Sequence, residues 1–145
     1  MRLLLARTLG DLEDTRALAR EVLSLLPLGA RVALQGPLGA GKTTFVRFLA
    51  EALGFRGRVT SPSYTLIHTY PTPEGPLVHA DLYRLQDPKA LLPQLFAAQE
   101  EARLLLVEWG DPETLEASFL LRLIPQGEAR RAELWQVGPG QEEGV

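Results

Sequence analysis

The chain contains no cysteine and no asparagine, one methionine, two histidines and, as lysines, only Lys42 and Lys89. Without cysteine there can be no disulfide, no thiolate metal site and no cysteine nucleophile. Scarcity of Asn, Cys and Met is a pattern of heat-adapted proteins. No apolar run reaches the roughly 20 residues that a membrane-spanning helix takes, so no membrane association is expected. The N-terminal apolar run, with Arg2 and Arg7 at its ends, is too short for a signal peptide, and the expected location is cytoplasmic. A concentrated basic surface is also missing: net charge is −3 and the basic residues are scattered. Proteins that grip nucleic acid unaided usually carry a basic footprint, so strong direct binding to nucleic acid is not expected.

What is present is a globular composition, 46% hydrophobic and 23% charged over 145 residues, long enough to bury a core. The pattern predicts one domain over residues 1–137 and a frayed, glycine-rich tail over 138–145. Residues 2–7 read as a strand. Asp11 is placed to cap a helix over about 12–26, with Thr15, Leu18, Ala19, Val22, Leu23 and Leu26 on one face. Residues 31–35 form a short buried strand, and a second helix begins near Lys42 with Phe45, Phe48, Leu49, Ala52 and Leu53 as its apolar stripe. Further strands are expected over 65–70, 77–80 and 104–107, the last apolar at every position as in a parallel strand covered on both faces. Residues 88–102 read as helical with a break at Pro93. Asp111-Pro112-Glu113 predicts a short capped helix, and residues 119–124 and 132–137 a hairpin around Gly127. The fold class is therefore α/β: a P-loop NTPase-like sandwich with a largely parallel central sheet and a C-terminal antiparallel hairpin.

The chemistry is announced by Gly36-Pro37-Leu38-Gly39-Ala40-Gly41-Lys42-Thr43, a full match to G-x-x-x-x-G-K-[ST]. Glycines let the backbone curl so that successive N–H groups converge on phosphate oxygens. The helix starting at Lys42 adds its positive end. The Lys42 ammonium is expected to reach the β- and γ-phosphates, the Thr43 hydroxyl to ligate Mg²⁺, and Thr44 to continue the phosphate contact. At average composition such a pattern arises by accident in about one chain of this length in two hundred, and a buried strand before it and an amphipathic helix after it make accident rarer still. The competing dinucleotide fingerprint, G-x-G-x-x-G, does not occur here.

A magnesium nucleotide site also calls for acids at the C-terminal ends of neighbouring strands. Asp81 and Glu108 each end a strand-like run, although either is also readable as a solvated carboxylate. His79, one of only two histidines, reads as a packed or hydrogen-bonded residue rather than a ligand, and Trp109 as core or edge packing. Thr60, Ser61 and Ser63 gather hydroxyls around Pro62, as readily a Ser/Thr turn as a loop that orders itself on the γ-phosphate. The turn around Asp11 and the hairpin residue Arg130 are candidates to line the base pocket, though Arg130 reads equally well as an exposed hairpin arginine. No N-K-x-D or T-K-x-D occurs, which argues against guanine and for adenine.

Together, GPLGAGKTT at 36–44, TSPSYTL at 60–66, HADLYRL at 79–85 and LVEW at 106–109 resemble the TsaE (YjeE) family, in order and spacing, from near Leu12 to about Leu134. That resemblance implies a small ATPase, using ATP and Mg²⁺, needed for threonylcarbamoyladenosine at position 37 of tRNAs reading codons that start with A. It implies action with the TsaB and TsaD subunits, whose multiple turnover its hydrolysis supports, without itself transferring the threonylcarbamoyl group. Residue by residue, Lys42 matches the phosphate lysine, Thr43 and Glu108 the magnesium residues, and Asp81 the residue that assists water attack. Ser61, Ser63 and Trp109 match the switch-like loop and the motif tryptophan. The chain departs from the family at Pro37, which replaces the usual Asp and removes one N–H, at Ser63 for Thr, and over 91–101.

Two other readings accompany the ATPase: a small-molecule kinase, for which 145 residues leave little room for an acceptor pocket and a lid, and a non-hydrolytic module in which ATP only orders the loop around Ser61. The arginine completing charge stabilisation is either Arg84 or one supplied in trans.

Overall fold

The computed structural model describes residues 1–37, 39–59, 67–82, 88–108 and 112–137. They form a seven-stranded sheet, numbered in chain order β1 (Arg2–Leu9), β2 (Ala30–Gln35), β3 (Ile67–Tyr70), β4 (Leu77–Asp81), β5 (Leu104–Glu108), β6 (Phe119–Gln126) and β7 (Ala129–Gln136). The spatial order is β1-β7-β6-β2-β5-β4-β3. The four central strands, β6, β2, β5 and β4, pair in parallel, while β3 on one side and β7 and β1 on the other pair antiparallel. The expected parallel centre and C-terminal hairpin are both present.

Period-two alternation divides the central strands between two cores. Val32 and Leu34 of β2, Leu104 and Leu106 of β5, and Leu121 and Leu123 of β6 join the core beneath helices α1 (Leu12–Leu25) and α2 (Lys42–Ala52). Ala33, Leu105, Val107 and Leu120 face the opposite core, which Leu95 of helix α3 (Leu92–Gln99) completes. Strands buried on both sides must be apolar throughout, which is why β5 shows no polar alternation.

Helix α1 starts where the sequence places it. Asp11 Oδ1 accepts from the Asp14 N–H at 2.9 Å, and Asp14 Oδ2 reaches back to accept from the Gly10 N–H, one residue before the cap, at 2.7 Å. Its expected face is buried at Thr15, Leu18, Ala19, Val22 and Leu26, with Leu23 half-buried. Helix α2 ends in a Schellman arrangement, Phe55 N–H to Ala50 O and Gly54 N–H to Glu51 O, both 2.9 Å. Val46 and Ala50 are buried in addition to most of the expected stripe, whereas Ala52 is only half-buried, because α2 lies against both the sheet and α1.

Two expectations change. The break near Pro93 falls just ahead of it: residues Pro88–Leu91 form a 3-10 turn and α3 begins at Leu92, so the proline sits in the first helical turn, where its missing N–H costs nothing. The helix expected at Asp111-Pro112-Glu113 is a turn over residues 112–116, Asp111 itself lying outside the described residues. The Ala117 N–H closes on Pro112 O at 2.8 Å with Glu116 left-handed at φ 52°, and β6 follows at once, leaving no length for a helix. Of the strand expected over 65–70, residues 67–70 are described and are β3; the tail at 138–145 also lies outside the described residues. Among the described residues no helix is long and apolar enough to cross a membrane.

Candidate functional site: a glycine loop beside two strand-end carboxylates

The strand β2 runs directly into the glycine loop, and the loop into α2. Gly36 must be glycine for want of space: a Cβ there would lie 2.8 Å from the Leu123 carbonyl oxygen of β6 and 3.1 Å from Ala40 Cβ. The Ala40 N–H closes a turn on Pro37 O at 3.0 Å. Gly41 then caps α2 at φ 97°, a conformation L side chains resist, and supplies no side-chain acceptor. The first-turn N–H groups of a helix have no carbonyl one turn back to bond. With no Ser, Thr or Asp at the cap, this helix start is left open to an anion.

Lys42 is the first residue of α2 and is buried at 7% exposure. Its Nζ donates to Gly36 O at 2.5 Å and lies 3.5 Å from Glu108 Oε1. The ammonium is thus held across its own loop, facing the end of β5. Thr43 is exposed, Thr44 half-buried and Ala40 fully buried.

Strand order brings the acids in. Because β2, β5 and β4 are parallel neighbours, their C-terminal ends share one edge of the sheet: Leu34 is opposite Glu108, and Glu108 opposite Asp81. Glu108 is 5% exposed, and its second oxygen, Oε2, lies 2.5 Å from His79 Nε2. A buried carboxylate is tolerated when cations and donors surround it; here Lys42 and His79 do so. Asp81 is half-buried at the end of β4. Thr43 and Glu108 offer hard oxygen donors, the kind Mg²⁺ takes one or two of from protein alongside substrate phosphates. Among the described residues no group of three or more His, Cys, Asp or Glu could form an all-protein cage.

On the far side of the loop, Arg130 shares a face of β7 with the core residues Ala132 and Leu134, so it points towards the α1 and α2 side of the sheet. Its Nη2 donates to Gly39 O at 3.1 Å. The opposite row pairs with itself: Arg131 and Trp135 donate to Glu133, holding that carboxyl below its ordinary range. Between Arg130 and the start of α1 lies a cavity of about 200 Å³ lined by Leu9, Asp11, Thr15, Gly41, Thr44 and Arg130, among others. The Asp11 turn and Arg130, the two candidates to line a base pocket, both border it.

The family model for "Threonylcarbamoyl adenosine biosynthesis protein TsaE" matches residues 9–132. The chain belongs to the TsaE family. A "tRNA threonylcarbamoyladenosine biosynthesis protein TsaE" of Aquifex aeolicus is 47% identical over 89 residues, covering 60% of this chain and 67% of that protein. The Synechocystis protein of the same description is 40% identical over 111 residues, 74% of this chain and 69% of its own length. The crystal structure of Bacillus subtilis YdiB superposes with a TM-score of 0.69 at 27% identity, covering 99% of this chain and 93% of the other.

The TsaE match takes in the glycine loop, Asp81, Glu108 and Arg130. Lys42, Glu108, Gly36 and Gly41 come together around the loop, and Arg130 joins them from β7. Leu38, Thr60, Ser61, Ser63, Arg84 and Trp109 lie outside the described residues. His79 is fully buried and hydrogen-bonded, as its sequence context indicates, but its partner is a site carboxylate. The signal available beforehand was the spacing His79-x-Asp81, which puts both residues on one face of β4.

Crowding at Gly36 has a measurable consequence. Gly36→Ala forces a methyl into the Leu123 carbonyl, and overpacking of this kind costs about 1–3 kcal/mol. The variant is expected to melt earlier in a thermal scan and to lose nucleotide affinity together with stability. Unchanged melting and unchanged affinity would mean the loop does not sit against β6 as described.

Proposed function

We propose that this chain is a cytoplasmic, Mg²⁺-dependent ATPase acting in threonylcarbamoyladenosine formation on tRNA, as a single nucleotide-binding unit over residues 1–137. The reading is carried by the meeting of Lys42, Glu108 and the glycine loop at one edge of the sheet, with Asp81 opposite Glu108 in register. Gly36, Gly39, Ala40, Gly41, Lys42, Thr43 and Thr44, with Leu38 between them, form the phosphate cradle, and Arg130 and the Asp11 turn border the base. Adenine is favoured because no guanine-reading motif occurs in the chain.

Water attacks the γ-phosphorus in line, the bond to the β,γ-bridging oxygen breaks, and ADP and inorganic phosphate leave. Asp81 orients the water and takes its proton. Lys42 exchanges the Gly36 carbonyl for phosphate oxygens, and with the α2 N–H groups stabilises the charge that develops on them. Mg²⁺, held by Thr43 and Glu108, would supply neutralisation of the β- and γ-oxygens. Thr60, Ser61 and Ser63 are assigned to a loop that responds to the γ-phosphate, and Trp109 is the residue that follows Glu108 in the sequence.

The partners proposed are the TsaB and TsaD subunits. An arginine supplied in trans is worth roughly 10³–10⁵ in rate, so the isolated chain is expected to turn over ATP slowly and faster with the partners present. Phosphate release from ATP and Mg²⁺ measures this directly. Equal rates with and without TsaB and TsaD would count against a trans contribution. Transfer of phosphate to an added metabolite would indicate a kinase, and tight binding without turnover a nucleotide-gated binding module.

A further inference from the structure

His79 is the only fully buried polar side chain among the described residues, at 0% exposure. It lies in β4 opposite Leu106, two residues before Asp81, on the row that places Leu77 in the core under α2. One ring nitrogen is used: Nε2 meets Glu108 Oε2 at 2.5 Å. A carboxylate only accepts, so Nε2 carries the proton. The other nitrogen, Nδ1, is buried with no hydrogen-bond partner among the described residues. Leaving a buried polar atom unsatisfied is unfavourable, and an apolar side chain on this row, like neighbouring Leu77, would avoid it. A residue that breaks the local packing rule in this way marks a functional constraint, and the one ring hydrogen bond among the described residues goes to Glu108.

We propose that His79 is a positioning residue for Glu108. Its Nε2–H anchors Oε2, which leaves Oε1 turned towards Lys42 and the glycine loop, where it is presented to the divalent cation that accompanies the nucleotide. Hydrogen-bond partners behind a metal ligand set its orientation, and their loss typically costs about 10–100-fold in metal affinity. The inference rests on the nucleotide-site reading above.

The test uses the full chain with Mn²⁺ in place of Mg²⁺ and a non-hydrolysable ATP analogue, the bound Mn²⁺ being counted by electron paramagnetic resonance. The analogue's affinity is measured in parallel in a chelator. Gln can place an amide N–H near the position of Nε2; Asn is too short to do so. His79→Asn is expected to weaken Mn²⁺ binding about 10–100-fold with metal-free analogue affinity unchanged, and His79→Gln to restore most of the loss. Parent-like Mn²⁺ affinity in His79→Asn overturns the proposal, as does an equal loss in both variants or an equal loss of metal-free affinity. A second measurement needs no variant: the hydrogen-bonded His79 Nε2–H proton, followed by NMR in the parent, should shift when Mg²⁺ joins the bound analogue. No shift overturns the proposal even if His79→Asn fails to fold. If the parent binds neither analogue nor Mn²⁺, the nucleotide-site reading fails and this inference with it; parent binding with an indifferent His79 sinks the inference alone.

Discussion

Asp81→Asn is expected to abolish detectable ATP turnover and to leave ATP binding intact. The change keeps the size of the side chain and removes its basicity. General-base assistance is worth about 10²–10⁴ in rate, which brings an already slow reaction to the limit of a phosphate-release assay. Binding is spared because Asp81 belongs to β4, separated from the strand that feeds the glycine loop by β5. Loss of a negative charge on the strand beside Glu108 also lowers repulsion of a polyphosphate. Calorimetric titration with ATP and Mg²⁺ beside a turnover assay separates the two properties. Turnover within a few-fold of the parent, about 1 kcal/mol or less in barrier height, would remove Asp81 from the water-activating role.

Lys42→Ala is expected to act on binding itself. A hydrogen bond to a charged group is worth about 1.5–3 kcal/mol, so ATP affinity should fall roughly 10–100-fold. A second loss follows inside the protein. Glu108, 5% exposed, has the Lys42 ammonium 3.5 Å from Oε1, and removing one partner of a buried ion pair costs up to about 3–5 kcal/mol. The separation exceeds a tight hydrogen bond, so the lower part of that range applies. The variant should therefore bind ATP weakly, turn it over not at all, and melt below the parent. ATP binding equal to the parent's would dismantle the site assignment, because no other residue of the loop carries a positive charge.

These two substitutions also show where the sequence was readable. Around Lys42 the information is local. The glycine spacing, the apolar run before it and the helical stripe after it all lie within a short segment, and the structure has the strand, loop and helix at those places. Asp11 as a cap is local in the same sense, since its acceptor atom serves an N–H three residues on. The misplaced helix at Pro112 shows the limit of local signals: the cap chemistry was right for a helix, but the chain had to enter β6 within a few residues and a turn was all that fitted. Arg130 is a second case. Its hairpin position said nothing of whether it faces water or the loop, and the deciding fact is that it shares a row with Ala132 and Leu134, which the core claims.

Sequence alone determined the glycine loop, the helix that opens behind it, and the two acids at strand ends, because each depends on residue types and spacings within a few positions. Tertiary structure alone decided that β5 lies between β2 and β4, so that Glu108 meets Lys42 and has Asp81 opposite it in register. It alone decided that the His79 ring hydrogen-bonds Glu108. Alternation along a strand assigns a side chain to a face, but which strands become neighbours is settled by how the helices cover the two sides of the sheet, and that is a property of the whole chain.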